Sequence, residues 1–207
     1  YNNLPLPEFD DTGFVGRKED RRTIEKYLRS NHPVVTILGE GGAGKTALAQ
    51  RCLYDLLDKK DCPYELIVWV SLKSRALNTG GIQTIKSAIT NTAGLMDTLF
   101  SEFTSQEFAK RNPSVNRFES IIEQLETFKT LLAIDNLETV PAQELRELYL
   151  NVPSGSKILV TSRIGIGEAE VRYPLGALSP SDSEVLFRTF SRFLNKPKLA
   201  KAENSLI

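Results

Sequence analysis

The sequence predicts an α/β fold of three layers: a mostly parallel five-stranded sheet clothed by helices on both faces, with the start of a small helical domain after it. Three observations carry this expectation. The runs Leu66–Val70, Leu131–Ile134 and Ile158–Val160 are apolar without alternation, as strands covered on both faces must be. Segments with apolar residues at helical spacing separate them, and strands joined through helices run parallel. A glycine-rich stretch, Gly39-Glu40-Gly41-Gly42-Ala43-Gly44-Lys45-Thr46, stands between the first strand and the helix that follows it.

The elements follow in order. Asp20–Arg29 places Ile24, Tyr27 and Leu28 on one helical face. Val34–Leu38 is a short β-branched run that reads as the first strand, and Ala47–Leu57 carries the next helical period. Leu66–Val70 is the second strand, with Trp69 expected in the core. Asp97–Asn112, where Phe100, Phe103 and Phe108 sit among polar residues, is expected to form one or two short helices on the sheet. Val115, Phe118, Ile121, Ile122, Leu125 and Phe128 make the clearest amphipathic stripe in the chain. Strands Leu131–Asp135 and Lys157–Thr161 follow, then Val171–Leu175, which Pro174 confines to an edge or a strand end. Ser179-Pro180-Ser181-Asp182 is a helix start, with proline at the first helical position. It opens a helix whose apolar residues Val185, Leu186, Phe187, Phe190, Phe193 and Leu194 are too many for a free helix. Asn195–Ile207 is polar and reads as a tail. The expected division is 1–176 for the sheet domain and 177–207 for the start of the helical part.

The glycine stretch fits the Gly-x-x-x-x-Gly-Lys-Thr pattern that wraps the phosphates of a nucleoside triphosphate. The chemistry needs those residue types. Glycines let successive N–H groups curl around an anion, the following helix points its positive end at it, Lys45 adds a cation, and Thr46 offers a hydroxyl to magnesium. Ligands of parallel sheets bind beyond the carboxyl ends of the strands, so the polar residues there are the next candidates. Asp135 ends one apolar run and is expected to hold magnesium, while Arg163 follows another and has a fork suited to a terminal phosphate.

Composition narrows the partners. The 207 residues are 41% hydrophobic, enough for one α/β domain and a small appendage. Lys+Arg and Asp+Glu are 26 each, so no net field favours DNA, RNA or an acidic membrane. The two cysteines, Cys52 and Cys62, have neither zinc spacing nor the density of a secreted scaffold, and His32 lies in a turn without neighbours that ligate metal. No stretch reaches the roughly 18 apolar residues of a membrane span. A cytoplasmic protein with reduced thiols is expected. The chain opens at Tyr1 and its single methionine is Met96, which suggests a piece of a longer protein.

Four motifs in fixed order carry a resemblance over roughly positions 12 to 195. They are Phe14-Val15-Gly16-Arg17-Lys18-Glu19-Asp20, the Gly39–Thr46 loop, Leu131–Glu138, and Leu159-Val160-Thr161-Ser162-Arg163. Together with Val68-Trp69-Val70-Ser71 and Leu175-Gly176-Ala177-Leu178-Ser179, the set resembles the signal-transducing ATPases with numerous domains. Within that class it is most similar to the NB-ARC branch of plant disease-resistance proteins, apoptotic activators and their bacterial relatives.

The resemblance implies ATP or ADP with magnesium as ligands, and slow ATP hydrolysis. Val15 and Arg17 would hold the adenine and ribose side, and Gly39, Gly41, Gly42, Ala43, Gly44, Lys45, Thr46 and Ala47 the phosphates. Thr46 and Asp135 would bind magnesium, and Arg163 would sense the γ-phosphate. The family commonly has a second acid after the aspartate; here Asn136 stands there, and Glu138 is the nearest acid able to orient the attacking water. The implied partners are effector and sensor domains of the same longer chain and further copies in an ATP-bound oligomer, in an immune or regulatory protein. The alternative is an ordinary P-loop enzyme, a small-molecule kinase or an ATP-driven motor, in which turnover is the purpose.

Overall fold

The computed structural model describes residues 1–7, 9, 13–72, 75–78, 81–84, 92–104, 114–137, 145–165, 167 and 170–200. Helix α1 spans Lys18–Leu28, strand β1 Val34–Leu38, α2 Lys45–Leu57 and β2 Leu66–Ser71. A hairpin of β3, Arg75–Asn78, and β4, Gly81–Thr84, precedes α3, Thr92–Phe103. Then come α4 at Arg117–Thr127, β5 at Thr130–Asp135, the short α5 at Arg146–Leu150, β6 at Lys157–Ser162 and β7 at Glu170–Pro174. Helices α6, Pro180–Phe193, and α7, Pro197–Ala200, close the described chain.

Five strands form one sheet in the order β2-β5-β6-β1-β7, every pairing parallel. Consecutive side chains on each strand enter different cores, which is why the runs read as unbroken apolar sequence. On one face Val35, Ile37, Leu131, Ala133 and Leu159 pack with Ile24 and Leu28 of α1 and Leu48, Leu53 and Leu56 of α2. On the other Val34, Leu132, Ile134, Ile158 and Val160 pack with Leu95 and Leu99 of α3 and Ile121 and Leu125 of α4. The result is the expected three-layer α/β domain, and Trp69 lies in its core at 8% exposure. Cys52 and Cys62 carry no disulfide, and burial pushes the Cys52 thiol up, so it stays protonated.

Edges follow their own logic. β7 is an outer strand with Pro174 as its last residue, the place an N–H-less residue tolerates. β2 is the other edge, and residues 1–3 lie along it. The Ile67 N–H donates to the Tyr1 carbonyl at 3.0 Å, and the Asn3 side-chain amide stands in for a peptide, accepting from the Trp69 N–H at 2.6 Å and donating to its carbonyl at 3.1 Å. That covers backbone groups an open edge would present to other chains.

Two features differ from the sequence-based expectation. The β3–β4 hairpin was not foreseen, and the helix expected within 97–112 begins earlier, at Thr92, burying Leu95, Leu99 and Phe100. Residues 105–113 lie outside the described residues. In α6, Ser179 caps the first turn by accepting from the Asp182 N–H at 3.0 Å, as its sequence predicts. Its apolar residues Val185, Phe190 and Phe193 are 51%, 42% and 54% exposed in this chain. Among the described residues no helix is long and apolar enough to cross a membrane.

Candidate functional site

The site grows from the carboxyl end of β1. Here the chain leaves the sheet between β6 and β7, and the base of the loop is pinned on both sides: the Gly39 N–H donates to the Ser162 carbonyl at 3.2 Å, and the Leu175 N–H to the Leu38 carbonyl at 2.6 Å. Gly42 and Gly44 have φ of 82° and 89°, the left-handed backbone that glycine takes without strain. A Cβ at either would meet nothing within 4 Å, so the space beside both glycines is open. Gly44 ends the loop as the N-cap of α2 with no side-chain cap, and its carbonyl takes the Leu48 N–H at 2.9 Å. The N–H groups of Lys45, Thr46 and Ala47 in the first turn therefore lack a capping side chain and suit an anion.

Lys45 is 9% exposed. Its ammonium turns back onto the loop, donating to the carbonyls of Gly39 at 2.7 Å and Glu40 at 3.0 Å. Beside it, the Asp135 carboxylate at the end of β5 is 1% exposed. Oδ1 accepts from the hydroxyls of Thr46 at 2.7 Å and Thr161 at 2.6 Å, and Oδ2 accepts from the Ser71 hydroxyl at 3.2 Å. Magnesium prefers hard oxygen ligands and keeps several waters, commonly with one or two carboxylates and substrate phosphates. A buried carboxylate already bonded to the threonine at the start of α2 is a donor set of that kind. Among the described residues no cluster of three His, Cys, Asp or Glu offers an alternative metal site.

Arg163, just past β6, reaches the loop from the side. A Cβ at Gly41 would stand 3.4 Å from its Nη2 and 3.6 Å from its Cζ, ordinary contact distances, so the guanidinium packs directly against the loop. The Val15-Gly16-Arg17 turn lies on the far side. Gly16 and Arg17 have φ of 68° and 61°, and the buried Arg17 guanidinium donates to the Ala43 carbonyl at 3.0 Å and lies 3.6 Å from Asp20. Arg17 thus grips the phosphate loop itself. Val15 sits in the same turn, half-buried.

The first turn of α6 closes against that turn: a Cβ at Gly16 would come within 2.5 Å of the Asp182 carboxylate. Gly16→Ala should therefore cost about 1–3 kcal/mol, from left-handed backbone plus displacement of Asp182. Urea unfolding measures it; an unchanged midpoint would mean that α6 does not seat on this turn.

The sequence-predicted residues Gly39–Ala47, Asp135 and Arg163 thus converge at one end of the sheet, with Arg17 beneath the loop. Glu138 lies outside the described residues. Asn136 has φ of 67° and its N–H donates to the Thr161 hydroxyl at 2.9 Å. Ser71 and Thr161 were not singled out for the site, and their signal was the one that found Asp135: a polar residue at the end of an apolar strand.

The chain matches the NB-ARC domain family over residues 17–173. It is similar to the transcription activator GutR of Bacillus subtilis, 26% identical over 163 residues that make up 76% of this chain and 18% of that protein. An uncharacterised WD repeat-containing protein of Nostoc sp. is 26% identical over 132 residues, 61% of this chain and 10% of its own. The chain thus spans only a small part of these curated relatives. Among solved structures it is similar to a signal transduction ATPase with numerous domains, bearing a tetratricopeptide repeat sensor, from Pyrococcus horikoshii. That likeness has a TM-score of 0.53 and 20% identity, over 91% of this chain and 27% of that one. AMPPCP-bound DnaA from Aquifex aeolicus has a TM-score of 0.55 and 13% identity, over 99% and 60%. At these identities the two structures establish a shared fold.

Proposed function

Since the chain belongs to the NB-ARC domain family, as a P-loop nucleotide-binding ATPase module of the class of signal transduction ATPases with numerous domains, we propose that it is the ATP/ADP switch of a longer regulatory or immune protein. The observation that carries this reading is the Arg163 guanidinium beside Gly41. A cation brought to the phosphate loop from another strand distinguishes a triphosphate from a diphosphate, and a switch needs that distinction.

In this reading the backbone of Val15 and the Arg17 turn receive the adenine and ribose side. Gly39, Gly41, Gly42, Ala43, Gly44 and the N–H groups of Lys45, Thr46 and Ala47 surround the phosphates. The Lys45 ammonium leaves the carbonyls of Gly39 and Glu40 for the β- and γ-phosphates. Thr46 and Asp135 hold magnesium, which when bound neutralises phosphate charge. Glu138 orients water for attack, and Arg163 reads the γ-phosphate. To carry a two-state protein from mostly off to mostly on, the two nucleotides must differ by about 5.5 kcal/mol in their preference between states. A γ-phosphate read by Arg163 and by magnesium held at Asp135 is a reasonable source of that difference.

Residues 1–176 form the nucleotide domain and 177–207 the start of a helical domain whose docking on Gly16 is what the nucleotide biases. The exposed residues Val185, Phe190 and Phe193 are then covered by further parts of the longer protein. A regulatory output agrees with the likeness to a transcription activator, while the balance of 26 cationic and 26 anionic residues leaves direct nucleic-acid contact to other domains. The longer protein would oligomerise with ATP bound, in the cytoplasm.

The test is to quantify nucleotide in the purified chain and its turnover. Near-stoichiometric retained nucleotide and a few turnovers an hour are expected, with Glu138→Gln slowing hydrolysis and sparing affinity. Fast turnover stimulated by a small metabolite would make the protein an ordinary P-loop enzyme.

A further inference from the structure

Just beyond Arg163, Gly165 and Gly167 meet a cluster at the start of β7 that no part of the proposed site uses. Glu170, the first residue of β7, has a side chain only 1% exposed. Its Oε2 accepts from the hydroxyl of Thr36, a fully buried residue in the middle of β1. Oε1 accepts from the Gly167 N–H at 3.2 Å and from Arg172 Nε at 2.6 Å. Arg172 Nη2 in turn donates to the Gly167 carbonyl at 2.9 Å, so both backbone groups of Gly167 are taken. The same guanidinium presses on Gly165, where a Cβ would come within 2.8 Å of it. On the other side the Ile164 N–H donates to the Ser162 hydroxyl at 3.2 Å.

Arg163 thus stands between two fixed points, the end of β6 and a clamp anchored in β1. β1 is the strand that bears the phosphate loop. We infer that Glu170 and Arg172 are positioning residues that aim the Arg163 guanidinium at the loop by tying Gly167 to β1 and packing on Gly165. A buried carboxylate taking hydrogen bonds from a hydroxyl, a peptide N–H and a guanidinium is expensive to assemble and hard to deform. Its rigidity is passed to a side chain whose use depends on its direction.

The inference rests on the γ-phosphate role of Arg163, and its test separates the two. Dissociation constants for Mg-ADP and for a non-hydrolysable Mg-ATP analogue are measured by calorimetry on the purified chain and on Arg163→Ala, Glu170→Gln, Arg172→Lys and the two double variants with Arg163→Ala. Arg163→Ala should lower the preference for the ATP analogue; if it leaves the ratio unchanged, the γ-phosphate reading fails and this inference with it. Given that loss, Glu170→Gln and Arg172→Lys should each lower the same ratio by roughly fivefold, in the range of coupling between neighbouring groups. Adding Arg163→Ala should then lower it no further than Arg163→Ala alone. ADP affinity should stay within about twofold, a readout a merely structural role would not spare. Losses that multiply in the double variants, or an unchanged ratio in the clamp variants, would overturn the inference while leaving Arg163 as sensor. If Glu170→Gln does not fold, Arg172→Lys decides alone, because that side chain is 52% exposed and its loss leaves the core intact.

Discussion

Lys45→Ala is expected to abolish binding of both ADP and ATP, by at least ~100-fold, the scale of losing a charge-assisted bond to phosphate in a partly dry site. The geometry explains why alanine is not tolerated. Lys45 is 9% exposed and its ammonium is already held at the loop by two carbonyls, so nucleotide meets a cation whose chain entropy is largely spent. Opposing this is the stability of the unliganded loop, since the variant leaves the carbonyls of Gly39 and Glu40 without this donor. Glu40 is exposed and Gly39 half-exposed, so water replaces the ammonium and the cost to folding is small. Calorimetry with each nucleotide, alongside thermal unfolding of the nucleotide-free protein, separates the two effects. Nucleotide retained by a folded Lys45→Ala would show that the loop is not the phosphate seat.

The parts legible in the sequence were those where chemistry dictates a local pattern. Glycines at 42 and 44 announce left-handed backbone, and the open space beside them is what an anion needs. Pro174 announced an edge or a strand end, because a residue without an N–H cannot donate to a neighbouring strand. Unbroken apolar runs announced a sheet covered on both faces. What stayed hidden depends on which strand lies beside which. Pairing β6 between β5 and β1 brings Leu38 opposite Ser162, which is why Arg163 arrives beside the phosphate loop. Ser71 ends an apolar strand as Asp135 does, but only the register that sets the two opposite each other makes the serine part of the site. The clamp at Glu170 was equally silent, since its partners Thr36 and Arg172 have meaning only once β1 and β7 are neighbours. The edge cover on β2 rests on one asparagine acting as a peptide, which no periodicity encodes.

Asp135→Asn should keep the fold and the bare nucleotide affinity but remove the benefit of magnesium and slow hydrolysis by ~100-fold or more, the range of losing preorganised charge at a reacting phosphate. Asparagine has the same shape and keeps one oxygen that accepts from Thr46 and Thr161 as Oδ1 does at 2.7 and 2.6 Å. Its amide replaces Oδ2, where the Ser71 hydroxyl can rotate to accept in place of donating. What the substitution cannot keep is the negative charge, and a divalent cation loses its one buried anionic ligand among the described residues of this site. Asp135 is 1% exposed, so solvent does little to soften the loss of that charge. Titrating nucleotide with and without magnesium is the deciding measurement: the metal should tighten binding to the unsubstituted protein and leave Asp135→Asn nearly indifferent. An equal tightening in both would place the cation elsewhere, because a carboxylate that holds a metal cannot surrender its charge without the metal registering the loss.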